Sequence, residues 1–182
     1  MIETLKMPGV KSGLNVGSGQ RPFRSNDEVR WFNIDSVKRP GQETDIICDA
    51  SVKLPFEYDS VDYVVLHHVL EHFGCNEACG LIENCKKVLK SGGSLLVFVP
   101  NMRALANRWV SGQMDTQLYL TNVYGAYMGD EADRHAWGYD EDYLTAFLRA
   151  RAFDIVKPFD GRQIPGADIA QDWWILAMEA IK

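Results

Sequence analysis

The sequence predicts an α/β fold: a mostly parallel sheet with an antiparallel last strand and helices on both faces. Three observations carry this. Short apolar runs alternate with helical patterns along the chain, the order that builds a sheet with crossover helices. Residues 61–67 (VDYVVLH) are rich in β-branched residues and nearly all apolar, as expected of a central strand buried on both faces. The last two apolar runs, 153–156 and 172–181, are joined through Gly161 and Pro165-Gly166 without room for a helical crossover, so they should pair antiparallel.

Taken in order, GLNV (13–16) is a strand feeding the glycine turn Gly17-Ser18-Gly19. WFNI (31–34) stops at Asp35, and DIIC (45–48) stops at Asp49, so each of these runs closes on an acid. The central strand 61–67 follows. Asn76 is then a suitable N-cap for a helix whose apolar face is Ala78, Leu81, Ile82, Cys85, Val88 and Leu89, with Ser91-Gly92-Gly93 as its stop. SLLVFV (94–99) is a fifth strand closed by Pro100-Asn101. Residues 101–139, rich in Trp, Tyr, Met and Gly, break the alternation and read as an inserted helical lid that selects the substrate. Glu141 to Ala150 reads as helix, and the chain ends on the antiparallel pair. Residues 1–182 are expected to form a single domain.

Composition narrows the function. With 46% hydrophobic residues in 182, the chain can bury one good core and has little left for a second. No secretion signal and no run of about 20 apolar residues is present, so a soluble, cytoplasmic protein without a membrane partner is expected. Cys48, Cys75, Cys79 and Cys85 are then read as reduced thiols. A formal charge of −6 opposes a nucleic-acid partner, because phosphate binding draws on clustered Lys and Arg.

Gly17-x-Gly19 after the first strand starts a nucleotide-type turn. Asp35 stands close to the distance, about 20 residues on, at which a carboxylate reaches a ribose hydroxyl. A dinucleotide fingerprint also needs a small residue three positions after Gly19, where this chain has Pro22. A ligand with a ribose but no phosphates fits better, with its own carboxylate on the backbone N–H groups of the turn.

The stretches LNVGSG (14–19), FNID (32–35), DIICDASVKLPFEYDSVDYVVLHHVLEHF (45–73) and LKSGGSLLVFVPN (89–101) together resemble the Rossmann-like class I S-adenosylmethionine-dependent methyltransferases, of the compact type 11-like kind. The resemblance implies S-adenosylmethionine as cofactor and S-adenosylhomocysteine as product. It also implies that Asn15, Gly17, Ser18 and Gly19 line the methionine part, Asp35 accepts from the ribose, Asp49 with Ala50 faces the adenine, and His67 lies near the transferable methyl. Two positions depart from the pattern: Asn15 stands where the family often has Asp or Glu, and Arg21 where it often has a third glycine.

His68-x-x-Glu71-His72 also matches a zinc-peptidase motif. That motif needs a continuous helix, whereas here a buried strand runs into His67, so no metal is expected and a zinc hydrolase is a remote alternative. The favoured reading is methyl transfer to O or N of a small acceptor, a sugar or other metabolite, with His67 and His135 as the candidate bases. Trp109, Tyr119, Tyr124, Tyr127, Trp137 and Tyr139 are candidates for the acceptor wall. The alternative within the same fold is a weakly active or inactive cofactor-binding scaffold or partner subunit. The short segment before the first strand leaves room for a homodimer partner to cover the pocket.

Overall fold

The computed structural model describes residues 9–126, 131–167, 169 and 172–182. The first apolar run becomes β1 (Lys11–Val16), the second β2 (Val29–Asp35), the third the short β3 (Ile46–Ile47) and the fourth β4 (Val61–His67). Helix α1 (Cys75–Val88) runs straight into β5 (Leu89–Pro100). The insert contributes α2 (Met102–Val110) and α3 (Thr116–Tyr124), and the chain closes with α4 (Glu141–Arg149), β6 (Ile155–Pro158) and β7 (Ile175–Ile181). The strands form one sheet in the order β3-β2-β1-β4-β5-β7-β6. β1 to β5 are mutually parallel, and β7 lies antiparallel between β5 and β6. Among the described residues no helix is long and apolar enough to cross a membrane.

Two local expectations shift. Gly74, not Asn76, caps α1, and its N–H donates to the Glu77 carboxylate at 3.2 Å, so a carboxylate one turn in replaces the expected Asn side chain. Ser91-Gly92-Gly93 is not a stop after the helix but part of β5. The helix has already ended at Val88, and Leu89 pairs with Val61 on β4.

Among the described residues, the helices packed on the sheet, α1 and α4, lie on one face. Leu14, Ile34, Leu66, Val97 and Met178 point to the face on which α1 and α4 pack through Leu81, Ile82, Leu144 and Leu148. The alternate residues Trp31, Val65, Leu96, Phe98 and Ala177 point to the other face, where they meet Phe23, Ile164 and Ile169 from irregular segments. The expectation of helices on both faces therefore holds for one. The link from β1 to β2, residues 17–28, carries a proline and a single large apolar residue, Phe23, and so has no apolar stripe to hold a helix against the sheet.

Polar side chains fasten that link instead. Asn33, 7% exposed, accepts from Phe23 N at 2.7 Å and donates to Phe23 O at 3.2 Å, standing in for a neighbouring strand. Asn15 donates to Asn33 Oδ1 at 2.9 Å and to Arg21 O at 3.0 Å. Next to them Trp31 lies across Gly13, where an added Cβ would fall 2.3 Å from the indole, and Trp31 reaches Tyr63 on the far side in a stacked contact. Trp31 Nε1 donates to Pro165 O at 2.8 Å and so ties in the segment before β7. Asn33→Ala leaves the buried Phe23 amide without a partner and removes one of the two acceptors of the Asn15 amide at once. It should destabilise the protein by about 2–4 kcal/mol. That corresponds to a melting temperature roughly 5–15 °C lower, read by circular dichroism. A loss under about 1 kcal/mol would mean that the asparagine clamp is not what holds the link.

Candidate active site at the carboxyl ends of the central strands

The chain reverses direction of winding between β1 and β4, and in open α/β sheets ligands bind in the crevice at such a point. Two cavities open there. The first, about 550 Å³, is lined by Asn15, Ser18, Arg21, His67, His135 and Trp174 among others. The second, about 450 Å³, is lined by Ile34, Asp35, Asp49, Ala50, Val69 and Phe73 among others. Gly17, His68, His72 and Asp133 border both. The residues singled out in the sequence thus fall into two adjoining groups: Asn15, Ser18, Gly19, His67 and His135 in the first cavity, Asp35, Asp49 and Ala50 in the second, with Gly17 between them.

The glycine turn is built for close approach. Gly17 sits at φ +68°, and a Cβ there would fall 2.4 Å from Val69 Cγ2. Asp35 holds the turn in place. Its Oδ2 accepts from Gly19 N at 2.9 Å and its Oδ1 from Val37 N at 3.2 Å. Ser18 Oγ is buried and has no partner, so a polar group is wanted in front of the turn. Asp49 accepts from the Ser51 amide at 2.9 Å and from its hydroxyl at 2.6 Å, which fixes the carboxylate after β3.

β4 ends in two histidines with different roles. Burial is the main cause that lowers the His67 pKa from 6.5 to about 3, helped by the neighbouring His68 and Arg21. In the fold His67 is therefore neutral at pH 7 and a weak proton acceptor. An unfolded chain would take up this proton near pH 6.5, so the stability His67 contributes is complete above that value and is lost as pH falls toward 3. The melting temperature of the native chain should fall between about pH 6.5 and 4, and His67→Gln should flatten the fall. Identical pH profiles for the two proteins would show that His67 is already hydrated in the fold.

His68 turns the corner with φ +54°, an uncommon conformation for a residue with a side chain. Its amide is fixed by Phe98 O at 2.9 Å, its ring stacks on Trp174, and its Nδ1 lies 2.9 Å from Glu71 Oε1. Glu71 is 1% exposed, and its other oxygen has no partner. Leu70–His72 form only a single 3-10 turn, so His68 and His72 are not presented together from one helix as the peptidase motif requires. His72 instead packs edge to face on His135, with ring centroids 5.0 Å apart, and ligand atoms of Glu71, His72 and His135 lie within 4.8 Å of one another. Burial lowers the pKa of His135 too.

The insert reaches the site through its backbone. Ala136 N and Trp137 N both donate to Glu71 O, at 2.8 and 3.1 Å. Its aromatics do not wall either cavity among the described residues. Trp109 and Tyr119 stack on each other at 4.7 Å, Tyr139 is buried against Phe147, Tyr124 and Trp137 face solvent, and Tyr127 lies outside the described residues. Two short helices cannot bury themselves without their own aromatic contacts, which leaves Thr121 and Asn122 to face the first cavity. Glu71 was noted in the sequence only within the peptidase motif and Arg21 only as a departure from the family pattern, while Trp174 was not singled out. The motif around Glu71 was visible, and nothing local marked Trp174.

Residues 30–97 match the model of a family described as Methyltransferase domain. No curated protein matches the chain by sequence. Among solved structures the chain is similar to a SAM-dependent methyltransferase from Archaeoglobus fulgidus, at 16% identity and TM-score 0.58, covering 96% of this chain and 87% of that one. It is also similar to 1,6-didemethyltoxoflavin-N1-methyltransferase from Burkholderia thailandensis, solved with 1,6-didemethyltoxoflavin and S-adenosylhomocysteine, at 18% identity and TM-score 0.57, covering 94% and 71%. A third similar structure is the complex between the Haloferax volcanii Trm112 methyltransferase activator and a putative methyltransferase, at 15% identity and TM-score 0.57, covering 94% and 82%.

Proposed function

We propose that this chain, a class I S-adenosylmethionine-dependent methyltransferase by its family match and shared fold, methylates an oxygen or nitrogen atom of a small acceptor. The observation that carries the reading is the pair of cavities meeting at Gly17, one bordered by Asp35 and Asp49 and the other by Ser18 and His67.

The residues present suit the cofactor. In the second cavity, Asp35 has lone pairs to spare beyond the two backbone amides it accepts, which suits a pair of ribose hydroxyls, and Asp49 with Ala50 would face the adenine. In the first, the orphaned Ser18 hydroxyl and the turn beside it suit an amino-acid carboxylate. Both hydrogens of the Asn15 amide are engaged by protein acceptors, which turns its carbonyl oxygen toward an ammonium group. S-adenosylmethionine, when bound, supplies a sulfonium methyl open to in-line displacement. His67, neutral and weakly basic, serves best as an apolar-leaning wall that excludes water from the reacting atoms. His135, in the same cavity and on the insert, is the candidate to receive an acceptor's proton when its Nε2 lone pair is free.

The size and polarity of the first cavity favour a compact polar acceptor over a polymer, and the net charge of −6 supports an acceptor that is not a nucleic acid. The similar Burkholderia structure, solved with 1,6-didemethyltoxoflavin bound, is in keeping with this. Calorimetric titration with S-adenosylmethionine and, separately, S-adenosylhomocysteine tests the reading. Saturable binding of either, in the micromolar range, is expected. A folded sample that binds neither would instead favour a scaffold, or a subunit whose pocket a partner completes.

A further inference from the structure

We infer that Glu71, His72 and His135 form a divalent-metal site on the wall of the first cavity, with an open coordination position for an oxygen atom of the acceptor. Ligand atoms of the three side chains already lie within 4.8 Å of one another, and the two histidines line the cavity.

The decisive observation is Glu71. One carboxylate oxygen is held by His68 Nδ1 at 2.9 Å, while the other is buried without a partner in a side chain only 1% exposed. A buried carboxylate oxygen is costly unless something cationic or hydrogen-donating faces it. Ligand atoms of two imidazoles, those of His72 and His135, lie within 4.8 Å of the Glu71 carboxylate. His72 Nδ1 lies 3.1 Å from Arg134 O, and His135 Nδ1 lies 2.9 Å from Asn122 O. A carbonyl can only accept, so in the neutral rings the hydrogen sits on Nδ1 and the lone pair on Nε2. Outer partners of this kind fix the tautomer and orientation of metal-binding histidines, as His68 fixes the carboxylate here.

The arrangement differs from the peptidase motif. That motif would use His68 and His72 from one helix, but His68 is turned to Glu71 and Trp174 and acts behind the ligand rather than as one. The third ligand comes from the insert, pinned to Glu71 by the two amides of Ala136 and Trp137. One carboxylate with two imidazoles suits Zn²⁺, Mn²⁺, Fe²⁺ or Co²⁺ better than Ca²⁺ or Mg²⁺, and three protein ligands leave room for an outside oxygen. An acceptor hydroxyl brought there would be oriented by the ion and made more acidic than when free. The site itself stands on these side chains alone, and its use toward an acceptor rests on the methyl-transfer reading.

The test is calorimetric titration of tag-free, chelator-stripped protein with ZnCl₂, MnCl₂ and CoCl₂ in turn, with the visible spectrum of the Co²⁺ sample as a ligand-field signature. Saturation at one ion per chain is expected, weakened at least about 100-fold in Glu71→Gln and in His135→Asn. Glu71 is buried, so a misfolded Glu71→Gln does not count as a result. His135 is half-buried, and His135→Asn, checked for native melting, then carries the result. No saturable binding of any of the three ions, or unchanged affinity in a folded His135→Asn, would overturn the site. The same samples are titrated with S-adenosylhomocysteine. Metal binding without nucleoside binding would uphold the metal site and count against methyl transfer, and the converse would do the opposite.

Discussion

Gly17→Ala should weaken S-adenosylmethionine binding by at least about 100-fold, close to 2.7 kcal/mol, while the protein stays folded. Two costs combine. An alanine at φ +68° pays roughly 1–2 kcal/mol for the left-handed backbone. Its methyl group would also fall 2.4 Å from Val69 Cγ2, and Val69 is itself packed in the core beneath the corner that carries Glu71 and His72. The turn must therefore move away from the point where the two cavities meet. Pairing the change with Val69→Ala removes the collision but not the backbone cost, so Gly17→Ala/Val69→Ala should recover part of the affinity, on the order of tenfold. Calorimetry with parallel thermal melts reads both effects. Native affinity in Gly17→Ala would show that the turn is not the cofactor's cradle.

Asp35→Ala is the second large effect. It removes the charge-assisted bonds assigned to the ribose, about 1.5–3 kcal/mol, and also frees Gly19 N and Val37 N, which the carboxylate holds at 2.9 and 3.2 Å. The combined loss of affinity should exceed tenfold and approach that of Gly17→Ala. Asp35→Asn keeps a carbonyl acceptor for one amide but loses the charge and half the accepting capacity, so it should fall between native and Asp35→Ala. If Asp35→Ala binds S-adenosylhomocysteine as tightly as the native chain, the ribose has another partner. If Asp35→Asn is as weak as Asp35→Ala, the charge rather than the accepted amides matters.

The strands were legible because their signals are local. Val61 to His67 announced a buried strand with the bounds later found, and Gly17, Asp35 and Asp49 stood at strand ends, where the sheet brings them together. The antiparallel end of the sheet followed from the lack of space between the last two apolar runs. The bare face of the sheet was less legible. Its cover depends on Asn33 and Asn15 reaching across to backbone atoms, a long-range polar contact that no periodicity encodes. The same applies to the cluster at the site. His72 and Glu71 were plain in the sequence, but their third companion comes from the insert, and the stretch after His67 is a single 3-10 turn, in keeping with the sequence reading that the continuous helix the peptidase motif needs is absent. The acceptor wall was misread because aromatic residues in a short insert satisfy one another first, as Trp109 and Tyr119 do.

The covering of one sheet face by the 17–28 link rather than a helix has a thermodynamic consequence. A helix holds its own backbone bonds, so it can loosen from a sheet and remain a helix. This link is kept in shape by side-chain clamps from β1 and β2, and it begins with the glycine turn proposed to hold the cofactor. Opening of this segment and loss of the nucleoside site are thus one event. Amides from Gly19 to Arg24 should exchange with solvent at a rate set by a small local free energy, and ligand binding should slow that exchange more than it raises the stability of the core. In such a protein the ligand acts as part of the fold.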